Sequence, residues 1–419
     1  MQKPHYEEQI NKGGNMAKKK ILFDFITLQD NYINGGMLYT QKILYEILNN
    51  EVIMYGLYDG NLLINEKTKT IVEKYKITLL NIREEKIFET INGLQIDTFF
   101  IGIAQRYNFF DLCDLKCKVI VVCHDLGDKS LEYFKIPQSE HLKIFAEKYL
   151  IKQKKIKRKE NKVKFIVKII LYPLVLLRRG ILLLMYYTKQ RNIVYYANFV
   201  KLIQLPNVFV VTVSEYSKYN IQYFLGSPKN GINVFYSPIN NEFFEEKECI
   251  SKIGIEGKKY FLLISVDRQF KNVILFLEQW EKFCLATNNE YYCVLVGEIK
   301  ANIKNGIILE EVSFGELAYL YKNAFAFVYP SFTEGFGYPP IEAAMYATPS
   351  ICANVTSIPE ICGDMPIYFS PFYPEDLFRA MIEMTMNRDI YVEKAKKRFL
   401  EINKRQKEDL QKLMDFILN

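Results

Sequence analysis

Glu334 and Glu342 stand eight residues apart in the stretch SFTEGFGYPPIEAAMYATPSI, which runs from Ser331 to Ile351. Between them lie Gly335, Gly337, Pro339 and Pro340. Glycines let a backbone turn tightly and come close to a ligand. Prolines preset φ for the start of a helix, here expected from about Ile341. A helix N-terminus placed in this way favours an anion, typically phosphate. A carboxylate accepts paired hydrogen bonds from vicinal diols. Glu334 before the turn and Glu342 in the first helical turn therefore suit a ribose or a sugar ring. Phosphate on the amides with hydroxyls on the carboxylates is how a sugar nucleotide would be held. The spacing alone equally allows a glycine-rich turn whose glutamate offsets the helix dipole.

His124 and Asp125 close the apolar run of VVCHDL, on the side of a parallel sheet where ligands bind. A satisfied buried imidazole would fit the same place. Asp24, at the end of the first apolar run, is a further cleft candidate.

The elements that must carry these residues alternate. The first buried strand is expected at Ile21 to Ile26. NGGMLYTQKILYEIL then supplies Gly35 and Gly36, followed by a helix with Leu38, Ile43, Leu44, Ile47 and Leu48 on its apolar positions. DTFFIGIA and CKVIVVCHDL are further short apolar runs, and NVFVVTVSEYSKYNIQYFL reads as strand, serine, helix. The pattern restarts at KKYFLLISVDRQFKNVILFLEQWEKF and continues through EYYCVLVGEI, GELAYLYKNA and FAFVYPSF. Strands alternating with helices imply α/β architecture with parallel sheets, here two Rossmann-like doubly wound domains. The divide is expected in the polar stretch Asn240 to Ser251, giving domains of 1–245 and 246–395. The tail from about Pro374 is helical, and 396–419 is expected to pack back on the N-terminal domain.

The chain has 419 residues and a net charge of +7, unevenly spread. Residues 152–191 hold thirteen Lys or Arg against Glu160, so the rest of the chain is mildly acidic, 42 basic against 47 acidic residues. This block, inside an insertion at about 150–192, has Lys154, Lys157, Arg158, Lys164 and Lys168 on a helical row. Its apolar runs, Ile169–Leu177 and Ile181–Tyr187, are too short to span a bilayer. Such a segment reads as lying in an anionic membrane surface. A hairpin packed on its own domain with a solvated basic face is the other reading, and nucleic acid is disfavoured. Met1 to Lys20 is polar and lacks the apolar core of a secretion signal. Eight cysteines are scattered without metal-site spacing, so reduced core thiols are expected. The expected location is cytoplasmic, peripheral on the inner face of the cell membrane.

The segment AFAFVYPSFTEGFGYPPIEAAMYATPSICANVTSIPEI resembles the donor-site signature of retaining GT-B glycosyltransferases of family GT4, the glycosyl transferases group 1. NGGMLYTQKILYEI, VVCHDL, VSEYSKYNI, ISVDRQFKN and VSFGELAYLYKNA extend the resemblance, in that order, over most of the chain. It implies the GT-B fold, with an N-terminal acceptor domain and a C-terminal nucleotide-sugar domain facing a central cleft. By motif match, Glu342 would hold the ribose hydroxyls and Glu334 the transferred sugar. The amides of Gly335, Phe336, Gly337 and Tyr338 would face sugar and diphosphate. Lys271 would bind phosphate, and Gly35 and Gly36 would close over the diphosphate from the other side. His124 would contact the transferred sugar or the acceptor hydroxyl, with Asp125 orienting it or serving the acceptor. Many relatives carry an arginine where this chain has Val266, and Arg268 is the natural substitute. Ala347 stands where glycine is usual, a change expected to affect packing only.

The resemblance implies transfer of a sugar from a nucleoside-diphosphate sugar to a saccharide acceptor, lipid-linked if the basic block meets a membrane, in surface polysaccharide assembly. Lys271, Arg268 and the helix N-terminus would stabilise charge on the leaving phosphate. No metal and no cofactor are expected. Another sugar-nucleotide enzyme of this fold, such as an epimerase, and an inactive partner subunit stay open as alternatives. A nicotinamide dehydrogenase does not, because no G-x-G-x-x-G follows the first strand.

Overall fold

The computed structural model describes residues 18–29, 34–107, 112–126, 198–239 and 254–419. The N-terminal extension, the basic insertion 152–191 and the divide expected at Asn240 to Ser251 lie largely or wholly outside the described residues. Strands β1 (Lys19–Asp24), β2 (Val52–Tyr58), β3 (Thr78–Asn81), β4 (Thr98–Ile101), β5 (Lys118–Val122), β6 (Val208–Thr212) and β7 (Ile232–Val234) form the first sheet. Strands β8 (Tyr260–Ile264), β9 (Tyr292–Val296), β10 (Gly306–Leu309), β11 (Ala326–Tyr329), β12 (Ser350–Ala353) and β13 (Ile367–Phe369) form the second. The strand orders are β3-β2-β1-β4-β5-β6-β7 and β10-β9-β8-β11-β12-β13. Every pairing is parallel.

Both orders reverse direction once, between β1 and β4 and between β8 and β11. In doubly wound sheets that reversal opens a crevice at the carboxyl ends of the strands, and ligands bind there. Helices cover both faces, so central strands are apolar on both sides rather than alternating. Ile21, Leu22 and Phe23 are fully buried, as are Val119 to Val122. The first strand starts and ends two residues earlier than its hydropathy suggests. Lys19 and Lys20 pair with Val52 and Ile53, and the ladder ends at Asp24.

Helices among the described residues include α1 (Gly35–Leu48), α2 (Glu66–Tyr75), α3 (Ile87–Gly93), α4 (Glu215–Leu225), α5 (Val273–Ala286), α6 (Phe314–Asn323), α7 (Tyr338–Met345), α8 (Ile358–Cys362) and α9 (Pro374–Leu418). Asn34 caps α1 by accepting from the Met37 amide at 3.0 Å, which fixes the glycine pair at its entrance. Helix α9 is kinked at Asn387. Its last turns lie on the first sheet: Thr98 Oγ1 donates to Ile417 O at 3.0 Å, and Asp409 accepts from the Tyr236 amide at 3.0 Å. Tyr236 also meets Phe336 edge-on, with ring centroids 5.7 Å apart. Cys117 and Cys123 are buried free thiols, and burial pushes Cys117 up to about 11.

Candidate active site

Lys271 leaves the short turn after β8, and Glu334 lies in the loop after β11, so both reach the crevice of the second sheet. Their side chains form an ion pair with Nζ 2.8 Å from Oε1, at 9% and 13% exposure. Tyr329, the last residue of β11, takes a second Nζ hydrogen bond at 2.8 Å, and its ring lies 4.5 Å from the ammonium. Ser331 Oγ donates to the same Glu334 oxygen at 2.5 Å. The cation is therefore held by a carboxylate, a phenol and a π face.

Glu342 stands on α7. Tyr321, fully buried on α6, donates its hydroxyl to Oε2 at 2.8 Å. Burial pushes the Glu342 carboxyl up to about 7, against the Tyr321 hydrogen bond and the Lys271 charge, which both lower it.

Helix α7 begins at Tyr338, not near Ile341, with Gly337 at φ 90° as its cap. Only glycine takes that conformation without strain. Glu342 is thereby beyond the first turn. Pro339 and Pro340 now occupy helical positions, and neither has an N–H. The expected row of free amides is thus thinned, although the helix dipole remains.

Gly335 is small for a reason other than ligand approach. A Cβ there would lie 2.4 Å from the His124 carbonyl and 2.9 Å from Asp125 Oδ2. The loop after β11 touches the first domain at this point. Ser214 and Ser217, at the start of α4, both donate to Gly335 O, at 2.6 and 3.0 Å. Ser217 also reaches His124 O at 2.9 Å. From the second domain, Ser357 donates to Glu334 O and Phe336 O at 2.9 and 3.1 Å. Glu360 accepts from the amides of Glu215 and Tyr216 at 2.8 and 2.9 Å and from Tyr236 OH at 2.8 Å. One carboxylate thus caps a helix of the opposite domain.

On the first sheet, Gly35 lies against the Tyr338 ring, 3.6 Å from where its Cβ would be. Gly36 faces Ile103. His124 is half-buried, and its Nε2 is 3.0 Å from Gly102 O. A carbonyl only accepts, so Nε2 carries the proton and Nδ1 is left as an acceptor. Desolvation pushes the imidazole down to about 4, so it is neutral at pH 7. Tyr39 packs edge-on to it at 4.9 Å. Asp125 lies beside Gly335.

Two expectations change here. Asp24 is not a cleft residue: it is fully buried and accepts from Thr27 and from Tyr107 OH, the latter at 2.8 Å, which ties β1 to the chain after β4. Ala347 is not merely a packing change, because it sits at φ 59° in the left-handed region. Arg268 is exposed and has no side-chain hydrogen bond or ion pair among the described residues, while Val266 is buried in the core. Sequence reasoning did not single out Tyr321, Tyr329, Ser331, Ser214, Ser217, Ser357 or Glu360. Hydroxyls just beyond strand ends were the available signal for Ser214 and Ser331. Among the described residues, no three His, Cys, Asp or Glu side chains gather as a metal site requires. No described helix is long and apolar enough to cross a membrane.

The family model for glycosyl transferases group 1 matches residues 245–406. The O-antigen chain mannosyltransferase B of Escherichia coli is 29% identical over 180 residues, which is 39% of this chain and 47% of that protein. The O-antigen chain mannosyltransferase RfbU of Salmonella typhimurium is 31% identical over 174 residues, 39% of this chain and 46% of that protein. The chain thus matches about half the length of these curated relatives. HepE of Anabaena, solved in complex with UDP, superposes with a TM-score of 0.63 at 12% identity, covering 95% of this chain and 99% of that one. The architecture is therefore GT-B, and residues 245–406 are similar to the glycosyl transferases group 1.

Proposed function

We propose that the protein is a retaining glycosyltransferase that moves a hexosyl unit from a nucleoside-diphosphate sugar to a saccharide acceptor. The single observation that carries this reading is the 2.8 Å contact between Lys271 and Glu334. A cation suited to phosphate and an acid suited to sugar hydroxyls meet at one point. On a sugar nucleotide, sugar and phosphate meet at the anomeric C–O–P junction, where the bond must break. Glu342, on the helix that follows, is left for the ribose.

In this reading the C1–O bond to phosphate breaks and Lys271 stabilises the charge on the departing oxygen. The acceptor oxygen bonds to C1 on the same face, and its proton passes to the leaving phosphate. His124, neutral with Nδ1 as acceptor, takes a hydrogen bond from a hydroxyl of the sugar or the acceptor. Its protonation state suits it to orient that group rather than to carry charge. Asp125 serves the acceptor side. The relatives' O-antigen mannosyl transfer supports mannose as the hexose and surface polysaccharide as the product.

The test is a thermal-shift panel of UDP-, GDP- and ADP-sugars, followed by assay with the sugar nucleotide that stabilises the protein. A bound ligand raises the midpoint by mass action. No shift with any of the three would sink the reading.

A lipid-linked acceptor is the second part of the proposal, and its support is the charge of residues 152–191. Each Lys or Arg near an anionic leaflet contributes about 1 kcal/mol. Flotation with anionic liposomes should carry the native protein, and replacing Lys154, Lys155, Lys157, Arg158 and Lys159 with Gln should release it. Native protein left in the soluble fraction at low salt would reject membrane docking.

A further inference from the structure

We propose that Tyr321 is a positioning residue for the nucleotide: it holds one oxygen of Glu342 so that the other stays available to the ribose diol. The inference rests on the reading of Glu342 as the ribose acid.

The placement of Tyr321 is fixed from several directions. Helix α6 is started by a capping box, in which Ser313 accepts from the Glu316 amide and the Glu316 side chain accepts from the Ser313 amide. That box sets the rotation of the helix, and Tyr321 falls on its inner face, fully buried. Thr348 Oγ1 donates to Tyr321 O at 2.6 Å. The ring stacks on Tyr346 at 6.4 Å and meets Phe327 edge-on at 5.4 Å. A phenol so packed has one direction in which to send its hydroxyl, and Glu342 Oε2 lies there at 2.8 Å.

A carboxylate on a flexible stem can rotate. Diol recognition needs its free lone pairs aimed at two hydroxyls at once, and a donor fixed in the core removes that rotational freedom. Among the described residues, Tyr321 is the hydrogen-bond partner of the Glu342 carboxylate, through Oε2, and Oε1 has none. The groups that face Glu342 electrostatically are Tyr321 from α6, Lys271 from the turn after β8 and Tyr338 from its own helix. Lys271 is itself bonded to Glu334 and Tyr329, so the local hold on Glu342 belongs to Tyr321.

The hydrogen bond also favours the ionised carboxylate, the form that accepts from two hydroxyls. The loss of Tyr321 OH should therefore move the pH midpoint of nucleotide binding upward and weaken binding near neutrality.

The experiment is calorimetry with UDP, GDP and ADP from pH 5.5 to 9. It compares native protein, Tyr321→Phe, Glu342→Gln and the double variant. Tyr321→Phe removes one oxygen and keeps the ring, so the packing survives. We expect about tenfold weaker binding at pH 7, a higher midpoint for the pH dependence, and KM raised more than kcat is lowered. In the Glu342→Gln background the same change should alter affinity less than twofold, because the two residues act as one unit. An unmoved midpoint in Tyr321→Phe, or an equal loss of affinity in both backgrounds, would show a packing role alone and overturn the proposal. Native protein that binds none of the three nucleotides would overturn the ribose reading, and this proposal with it.

Discussion

On the second sheet's wall of the cleft, Lys271 and Glu334 form an ion pair, and burial pushes the nearby Glu342 carboxyl up to about 7. On the first sheet's wall, Gly35 and Gly36 bring a helix end close, and His124 is neutral and bonded to Gly102 O. One wall carries the ion pair, and the other, Asp125 apart, carries shape and proximity. The division follows from the chemistry proposed. Charge appears on the leaving phosphate, so compensation belongs where the phosphate sits. The acceptor side must admit varied hydroxyls, and there a neutral imidazole, the Asp125 carboxylate and a close backbone suffice.

If the division is real, its largest consequence lies at Lys271. Lys271→Ala should lower kcat by about 10²–10³, the loss typical of removing one charge-stabilising donor. It also strands Glu334 partly buried and unpaired, so the thermal midpoint should drop as well. Arg268→Ala should cost far less, because Arg268 is exposed and makes no side-chain hydrogen bond or ion pair among the described residues. Steady-state kinetics on the two variants decide this. Equal losses would mean that phosphate charge is shared with Arg268.

The next effect tests proximity. Gly335→Ala places a Cβ 2.4 Å from a backbone carbonyl, and a carbonyl cannot rotate away. The walls must part, and displacements of about 1 Å cost on the order of 10²-fold in rate. Gly35→Ala meets only the Tyr338 ring at 3.6 Å, an ordinary contact, and should be mild. Transfer assays on both variants, with nucleotide binding measured in parallel, separate lost geometry from lost affinity. An active Gly335→Ala protein would refute the close-approach argument.

The two walls should also respond oppositely to pH. His124 is held down to about 4 from an ordinary 6.5. The unfolded chain binds the extra proton between those values, so this stability is present above 6.5 and lost as pH falls toward 4. Glu342 is pushed up to about 7 from 4.5. There the folded protein holds the extra proton, so stability is lost as pH rises from 4.5 to 7. The two slopes oppose each other in their shared window. Glu342→Gln should leave a thermal midpoint that climbs more steeply with pH than the native one. His124→Gln should leave one that falls more steeply. Scanning calorimetry from pH 4.5 to 7 reads both, and parallel curves for all three proteins would erase the contrast.

Residues of both walls, Lys271, Glu334 and Glu342 on one and Gly35, Gly36, His124 and Asp125 on the other, were picked out from short stretches of sequence. Lys271, Glu334 and Glu342 lie within short motifs, and alternating strands and helices gave both doubly wound sheets. What escaped was any relation between distant segments. Gly335 needs its hydrogen side chain because of His124, and the Glu360 carboxylate caps the amides of Glu215 and Tyr216. No local pattern encodes such contacts. Tyr321 escaped because an aromatic at a core position of a helix looks like packing until its hydroxyl is seen to reach Glu342. Asp24 misled because a carboxylate at a strand end resembles a site residue, although here it is consumed by Thr27 and Tyr107.

The smallest expected effect sharpens the comparison from outside the chemistry. Ala347 directly follows the Tyr346 C-cap of α7, the helix that carries Glu342, and its φ of 59° is left-handed. An L-residue with a Cβ is strained there by roughly 1–2 kcal/mol, and glycine is not. Glycine is also the more flexible residue in the unfolded chain, which returns part of that gain. Ala347→Gly should therefore stabilise the protein by about 0.5–1 kcal/mol, read as a raised denaturation midpoint at unchanged m-value. Because Ala347 touches neither proposed ligand contact, nucleotide affinity should hold. If the variant is less stable, Ala347 owes its place to packing against its neighbours, and the backbone argument fails. If stability rises and affinity falls, the end of α7 is coupled to Glu342, and the wall of the ion pair is tuned from beyond the cleft.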